Sequence, residues 1–242
     1  MIGAIRAEVL RAHCGLNTLA VLLLAAFVPV IILTSDDTLG RMTDMDATTA
    51  TQLLIAPVGW CFVAAAFVGA FGVTREFYYV SMNRTVVALG FRRVFGAKAL
   101  AAVVVGVVLT IGVVATWGAV AAIILFTHGI APAPSAAVAA TLVGAVPGAV
   151  LGSLMGASIG WIVGNYYLAA GIVLAGPLAF ELAFLSAAPD LARFLPGLSL
   201  AGLAAPQNHP DLLSVGAAGA IAVAWTVTLA IAACVAGRRR FA

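Results

Sequence analysis

The chain is predicted to be an all-α membrane protein with six transmembrane helices and both termini in the cytoplasm. Three observations predict this. Of its 242 residues, 64% are hydrophobic and 9% charged, with a mean hydropathy of +1.16, whereas about a quarter of a soluble domain is charged. The apolar residues gather in charge-poor runs, and a helix needs about 20 of them to cross a bilayer. Lys and Arg collect at alternate boundaries between those runs, as the positive-inside rule demands.

Taken in order, Ile2, Ile5, Val9 and Leu10 fall near one helical face beside Arg6 and Arg11. This predicts an interfacial amphipathic helix over about 1–15. The first span, about 16–34, is longer than a signal-peptide core, and no small-x-small cleavage site follows it, so it is read as retained. An acidic segment with Asp36, Asp37, Asp44 and Asp46 leads to the second span, about 53–73. A charged loop covers 74–98. After Lys98 the next charged residue is Glu181, and that interval is too long for two spans. Pro132, Pro134 and Asn165 divide it into three, about 99–127, 137–163 and 166–187. Short outer helices are expected in the connector Ser186 to Asp211, before a last span over about 212–236. All of this is one membrane domain.

With six spans, one side holds Arg6, Arg11, Arg75, Arg84, Arg92, Arg93, Lys98, Arg238, Arg239 and Arg240, and the other only Arg41 and Arg193. The first side is therefore cytoplasmic, and an odd number of spans would place Arg238 to Arg240 outside. The pI near 9.0 does not point to nucleic acid, because the basic residues sit at membrane boundaries rather than on one face. Cys14, Cys61 and Cys234 are scattered, with no metal-ligand spacing.

The fourth span repeats glycine every four residues, at Gly144, Gly148, Gly152, Gly156, Gly160 and Gly164. Such a stripe lets a second backbone approach closely, and its period of 4 against 3.6 winds it around the helix, which suits a right-handed crossing. Packing within the protomer is the plain reading. A subunit interface, or helices that slide in a conformational cycle, is the other.

Gly156-Ala157-Ser158-Ile159-Gly160 matches the nucleophile-elbow pattern, and a serine in span four of six resembles the rhomboid intramembrane proteases. Rhomboids place a histidine on the sixth span. This chain has only His13, His128 and His209, none of them there, and a serine nucleophile needs a base. No catalytic residue is assigned. A P-loop needs Gly-Lys followed by Ser or Thr, and the only lysine, Lys98, lies in Gly96-Ala97-Lys98-Ala99. Any ATP and its Mg are therefore expected on another polypeptide, with no cofactor or metal in this one. Glu181 is the one ionisable residue inside a span, about 24 Å along the helix from Asn165. It serves either a functional path or a bond to the outer connector and the backbone freed by Pro177.

The loop 74–98 is the main charged handle. Arg75, Glu76, Phe77, Tyr78, Tyr79, Arg84, Arg92 and Arg93 offer cations for a partner's carboxylates and aromatics for an interface; the plain alternative is a solvated positive-inside loop.

At this loop the chain resembles permease subunits of type-2 ABC transporters, of the exporter class. Arg75-Glu76-Phe77 matches the family's R-E-Y/F start, and Arg92-Arg93-Val94-Phe95-Gly96-Ala97-Lys98 matches its basic ending. Val80-Ser81 stands where Gly-Thr is usual, and Leu89-Gly90 where a proline is common. The likeness extends to the N-terminal helix with Glu8 and Arg11, the acidic outer loop, the connector around Pro189 to Pro196, and the basic tail. Glu181 falls where similar permeases often carry an acidic residue.

The resemblance implies a coupling helix within 74–98 that docks on a separate ABC ATPase. It also implies a second permease subunit, identical or different, with spans two and five nearest a shared pathway. The expected setting is a bacterial plasma membrane, with membrane lipid as the other partner. A pathway of Ala, Val, Leu, Gly and a few aromatics favours an amphipathic, lipid-like, peptide or drug-like cargo. The competing class is a membrane scaffold or sensor that transports nothing.

Overall fold

A computed structural model describes residues 2–13, 21, 25, 42–205 and 209–241. Among these residues every regular element is a helix, and five helices are long and apolar enough to cross a membrane. The chain is an all-α, multi-pass membrane protein. Nearly all of the predicted first span lies outside the described residues; Val21 and Ala25, its described members, pack against the core that contains Val68, Leu109 and Val113.

The first helix, α1, is Ile2–His13. The next span, Ala47–Tyr78, opens with α2, Ala47–Ile55. Asp46 caps it: the Thr49 hydroxyl and backbone N–H donate to the Asp46 carboxylate at 2.6 and 3.0 Å, and these bonds hold its pKa below the usual carboxylate value. Pro57 has no N–H to continue the ladder, so the chain tightens into a 3₁₀ segment over Ala56–Trp60 before α3, Cys61–Tyr78. Beside this irregular turn the buried Trp117 indole donates to the Leu54 carbonyl at 2.6 Å.

Then come α4, Met82–Leu89, and the 37-residue α5, Phe91–Thr127. The helix α6, Ala136–Val163, is capped by Ser135 and ended by Gly164 in the left-handed region, φ +66°. Asn165 then caps α7, Tyr166–Ala175. Pro177 cannot donate in the α-helical pattern, and the ladder widens into a π segment, Gly176–Glu181, before α8, Leu182–Ala187. The connector folds as α9, Pro189–Ala192, and α10, Pro196–Ala204. The last helix is α11, Val215–Phe241.

The breaks fall where Pro132, Pro134 and Asn165 predict them. The stretch 74–98 is mostly helical: between Thr74 and Lys98 only Tyr79, Val80, Ser81 and Gly90 lie outside helices. The expected limits followed the hydrocarbon boundary, whereas a helix satisfies its own backbone and continues into the polar zone. So α5 begins eight residues before the expected 99, and α11 carries Arg238, Arg239 and Arg240 within its last turn.

At the centre α6 packs on α3, α5, α10 and α11. A Cβ at Gly152 would stand 2.7 Å from the Phe62 carbonyl oxygen, one at Gly160 would stand 2.9 Å from that of Ala70, and one at Gly156 would overlap that of Ala66. In return, Gly69 of α3 lies against the Ser153 backbone. Further along, Gly144 and Gly148 face Ala204 of α10. Backbone meets backbone along most of this stripe, which is spent inside the protomer.

Candidate functional site

The ends of α3, α5, α6 and α11 meet α1 and α4 at one end of the bundle, here the basic end. Two fasteners hold them there. In the first, the first two turns of α5 carry Lys98 inward, where its ammonium is buried. Lys98 Nζ donates to Glu76 Oε1 of α3 at 2.8 Å, to Glu8 Oε2 of α1 at 3.0 Å, and to the Gly72 carbonyl at 3.1 Å. Gly72 has no side chain to cover that carbonyl. Burying an ammonium alone is costly, and pairing with hydrogen bonds offsets the cost. Arg75, with its guanidinium 5.6 Å from the Phe71 ring centre, lines the same small cavity as Glu8 and Lys98. Two cations thus accompany two carboxylates.

In the second, Phe77, Phe91, Phe95, Trp161 and Phe241 form one aromatic cluster from four helices. Phe77 meets Trp161 edge-on at 5.8 Å, and Phe91 meets it edge-on at 5.7 Å, the preferred arrangement for aromatic pairs. Across it Arg240 donates to the Trp161, Ile162 and Val163 carbonyls at 3.0, 2.7 and 3.3 Å. Those carbonyls belong to the last turn of α6, where a cation is favoured. The same guanidinium lies 5.4 Å from the Phe77 ring centre.

On top of these fasteners sits α4. Met82 and Val86, four residues apart, point inward, while Arg84 and Val87 point out. Tyr78 and Tyr79, 58% and 68% exposed, continue this outward face. Val80 makes the turn into α4 at φ +56°, a left-handed conformation that a β-branched residue rarely adopts.

The predicted docking residues therefore separate. Tyr78, Tyr79, Arg84, Arg92 and Arg93 are exposed. Glu76 is not available to a partner: it is buried, and its carboxylate is committed to Lys98. Phe77 is half-buried in the aromatic cluster, and Arg75 lies half-buried against Phe71. The difference in burial has a simple cause. Glu76 and Phe77 sit on the last turn of α3, which is still packed, and not on a free loop.

Glu181 lies at the opposite end of the bundle. Both carboxylate oxygens are used, accepting the Gly197 and Leu198 N–H groups at 3.1 and 2.8 Å. It caps the N-terminus of α10 and ties the connector to the span that carries it. The Ser158 hydroxyl donates to the Leu154 carbonyl at 2.8 Å, within its own helix. Among the described residues His128 bonds Ile124 and His209 pairs with Asp211, both at the connector end.

Sequence reasoning missed the Glu8–Lys98 pair and the Arg240 cap. A signal for the first existed: Glu8 and Glu76 are the only acids on the basic side of the topology, and Lys98 is the only lysine. No family model, curated protein or solved structure matches the chain.

Proposed function

We propose that this chain is the membrane-spanning permease subunit of a type-2 ABC exporter, driven by a separate ATPase subunit that holds the ATP and Mg. The observation that carries the reading is α4. It is a short exposed helix with outward Arg84, Val87 and, beside it, Tyr79, and it is joined to the ends of five other helices by the Lys98 and Trp161 fasteners. A push on α4 reaches α3 and α5 directly, α1 through Glu8, and α6 and α11 through Trp161 and Arg240.

In this reading the basic end is cytosolic, following the ten-to-two placement of Lys and Arg, in a bacterial plasma membrane. Glu8 places α1 at that end and Ser135, bonded to Gln52, places α2 at the other, which supports a sixth crossing between them. A second permease subunit completes the pathway, and its apolar lining suits an amphipathic, lipid-like, peptide or drug-like cargo.

The test is co-purification. Affinity capture of the tagged chain from its native membrane brings down an ATPase with a P-loop. Arg84→Glu with Tyr79→Ala, on the exposed face, weakens the capture and the stimulated ATP hydrolysis. If no ATPase accompanies the chain, or the double variant holds it as tightly, the reading fails.

A further inference from the structure

Three helix ends at the basic end border an open, shallow cleft of about 550 Å³, lined by Leu89, Gly90, Phe91, Arg92, Arg93, Arg238 and Phe241. Its size falls within the range of small-molecule sites, about 300–1,000 Å³. No carboxylate lines it, and among the described residues none pairs with Arg92, Arg93 or Arg238. Among the described residues the two acids at this end, Glu8 and Glu76, are both engaged with Lys98. Three arginines thus border one concave site, and among the described residues no carboxylate offsets them, an arrangement that draws a multiply acceptor-bearing anion such as phosphate.

The rest of the lining says how that phosphate is carried. Leu89, Phe91 and Phe241 give the cleft an apolar wall beside the cations. Arg238 directly follows the apolar stretch of α11, so the site lies at the depth where a membrane span gives way to headgroups. A free anion has no use for the wall, whereas a phosphodiester attached to glycerol and acyl chain fits both parts. Basic sites between spans are a recognised form of lipid recognition.

We infer that the Arg92–Arg93–Arg238 cleft binds the phosphate headgroup of an anionic phospholipid. This goes beyond the transport reading and does not depend on it, and its test contains no ATPase.

The purified full-length chain in neutral detergent is titrated with phosphatidylglycerol, phosphatidylcholine or inorganic phosphate. Thermal unfolding and native mass spectrometry of retained lipid are the readouts. Phosphatidylglycerol raises the melting temperature and is retained; the other two have little effect. Arg92→Gln, Arg93→Gln and Arg238→Gln each weaken phosphatidylglycerol binding roughly fivefold, and the triple variant about a hundredfold. Arg239→Gln, a charge on the same tail outside the cleft, leaves it unchanged. The melting temperature of each variant in phosphatidylcholine shows that it is folded. Equal binding by the triple and parent chains overturns the inference. So does an equal response to inorganic phosphate, which assigns the cleft to a free anion. If the triple variant retains the lipid but loses a co-purifying protein, the cleft is a protein contact and the lipid assignment is wrong.

Discussion

Lys98 Nζ lies 2.8 Å from Glu76 Oε1, with both side chains buried where α3 and α5 leave the apolar zone. The pair fixes the approach to α4 from both sides, since α3 leads into it and α5 leads out. Lys98→Met leaves Glu76 and Glu8 without their shared cation, and losing one partner of a buried pair costs about 3–5 kcal/mol. Thermal unfolding in detergent shows a large drop for Lys98→Met and partial recovery when Glu76→Gln is added. Recovery is the informative outcome, because a purely steric role for Lys98 gives none.

Arg240 makes three bonds to the end of α6, a geometry that suits a planar fork better than a point charge. Arg240→Ala costs about 1 kcal/mol and speeds amide exchange in the segments on either side of the α6–α7 junction. Arg240→Lys restores little of either. Unaltered exchange in Arg240→Ala is the result that contradicts the cap.

Val80 takes a conformation in which an L side chain costs about 1–2 kcal/mol, and glycine adopts it freely. Val80→Gly therefore raises the melting temperature despite the greater freedom of glycine in the unfolded chain. A lower melting temperature means that Val80 makes contacts worth more than its strain.

Glycines in the spans separate into two kinds. At Gly156 a methyl group meets the Ala66 backbone, which cannot yield, while at Gly118 of α5 it meets open space. Gly156→Ala destabilises by about 1–3 kcal/mol, as overpacking does. Gly118→Ala is neutral or stabilises by up to about 1 kcal/mol. Measuring the two together controls for the general effect of alanine in a membrane helix.

At the connector end, Glu181→Gln keeps one carbonyl acceptor for the N–H groups of Gly197 and Leu198, and Glu181→Ala keeps neither. The alanine variant loosens α10, read as faster proteolysis after Arg193, and the glutamine variant stays close to the parent. If the carboxylate itself carries function, activity is lost in both variants alike.

The five apolar helices among the described residues were legible in the sequence because bilayer crossing imposes a long, strong pattern. The divisions at Pro132, Pro134 and Asn165 were legible because those residues act locally. The helical course of 74–98 was not, since Arg92, Arg93 and Lys98 read as loop charges whether they face water or a buried carboxylate. Lys98 shows the limit most clearly: its partners Glu8 and Glu76 lie 90 and 22 residues away, and only folding brings them together. The glycine stripe was visible, but the helix it meets was not, because a stripe shows a capacity for close approach and names no partner.

That meeting of α6 with α3 bears on how the protein moves. Gly152, Gly156 and Gly160 recur every four residues, and so do Phe62, Ala66 and Ala70 opposite them. A slip of one residue would drive a side chain into the facing backbone, and the next matching register lies about 6 Å along the axis. The pair works as a notched bar rather than a sliding joint: it holds one setting, and any cycle of rearrangement bends the bundle at other seams.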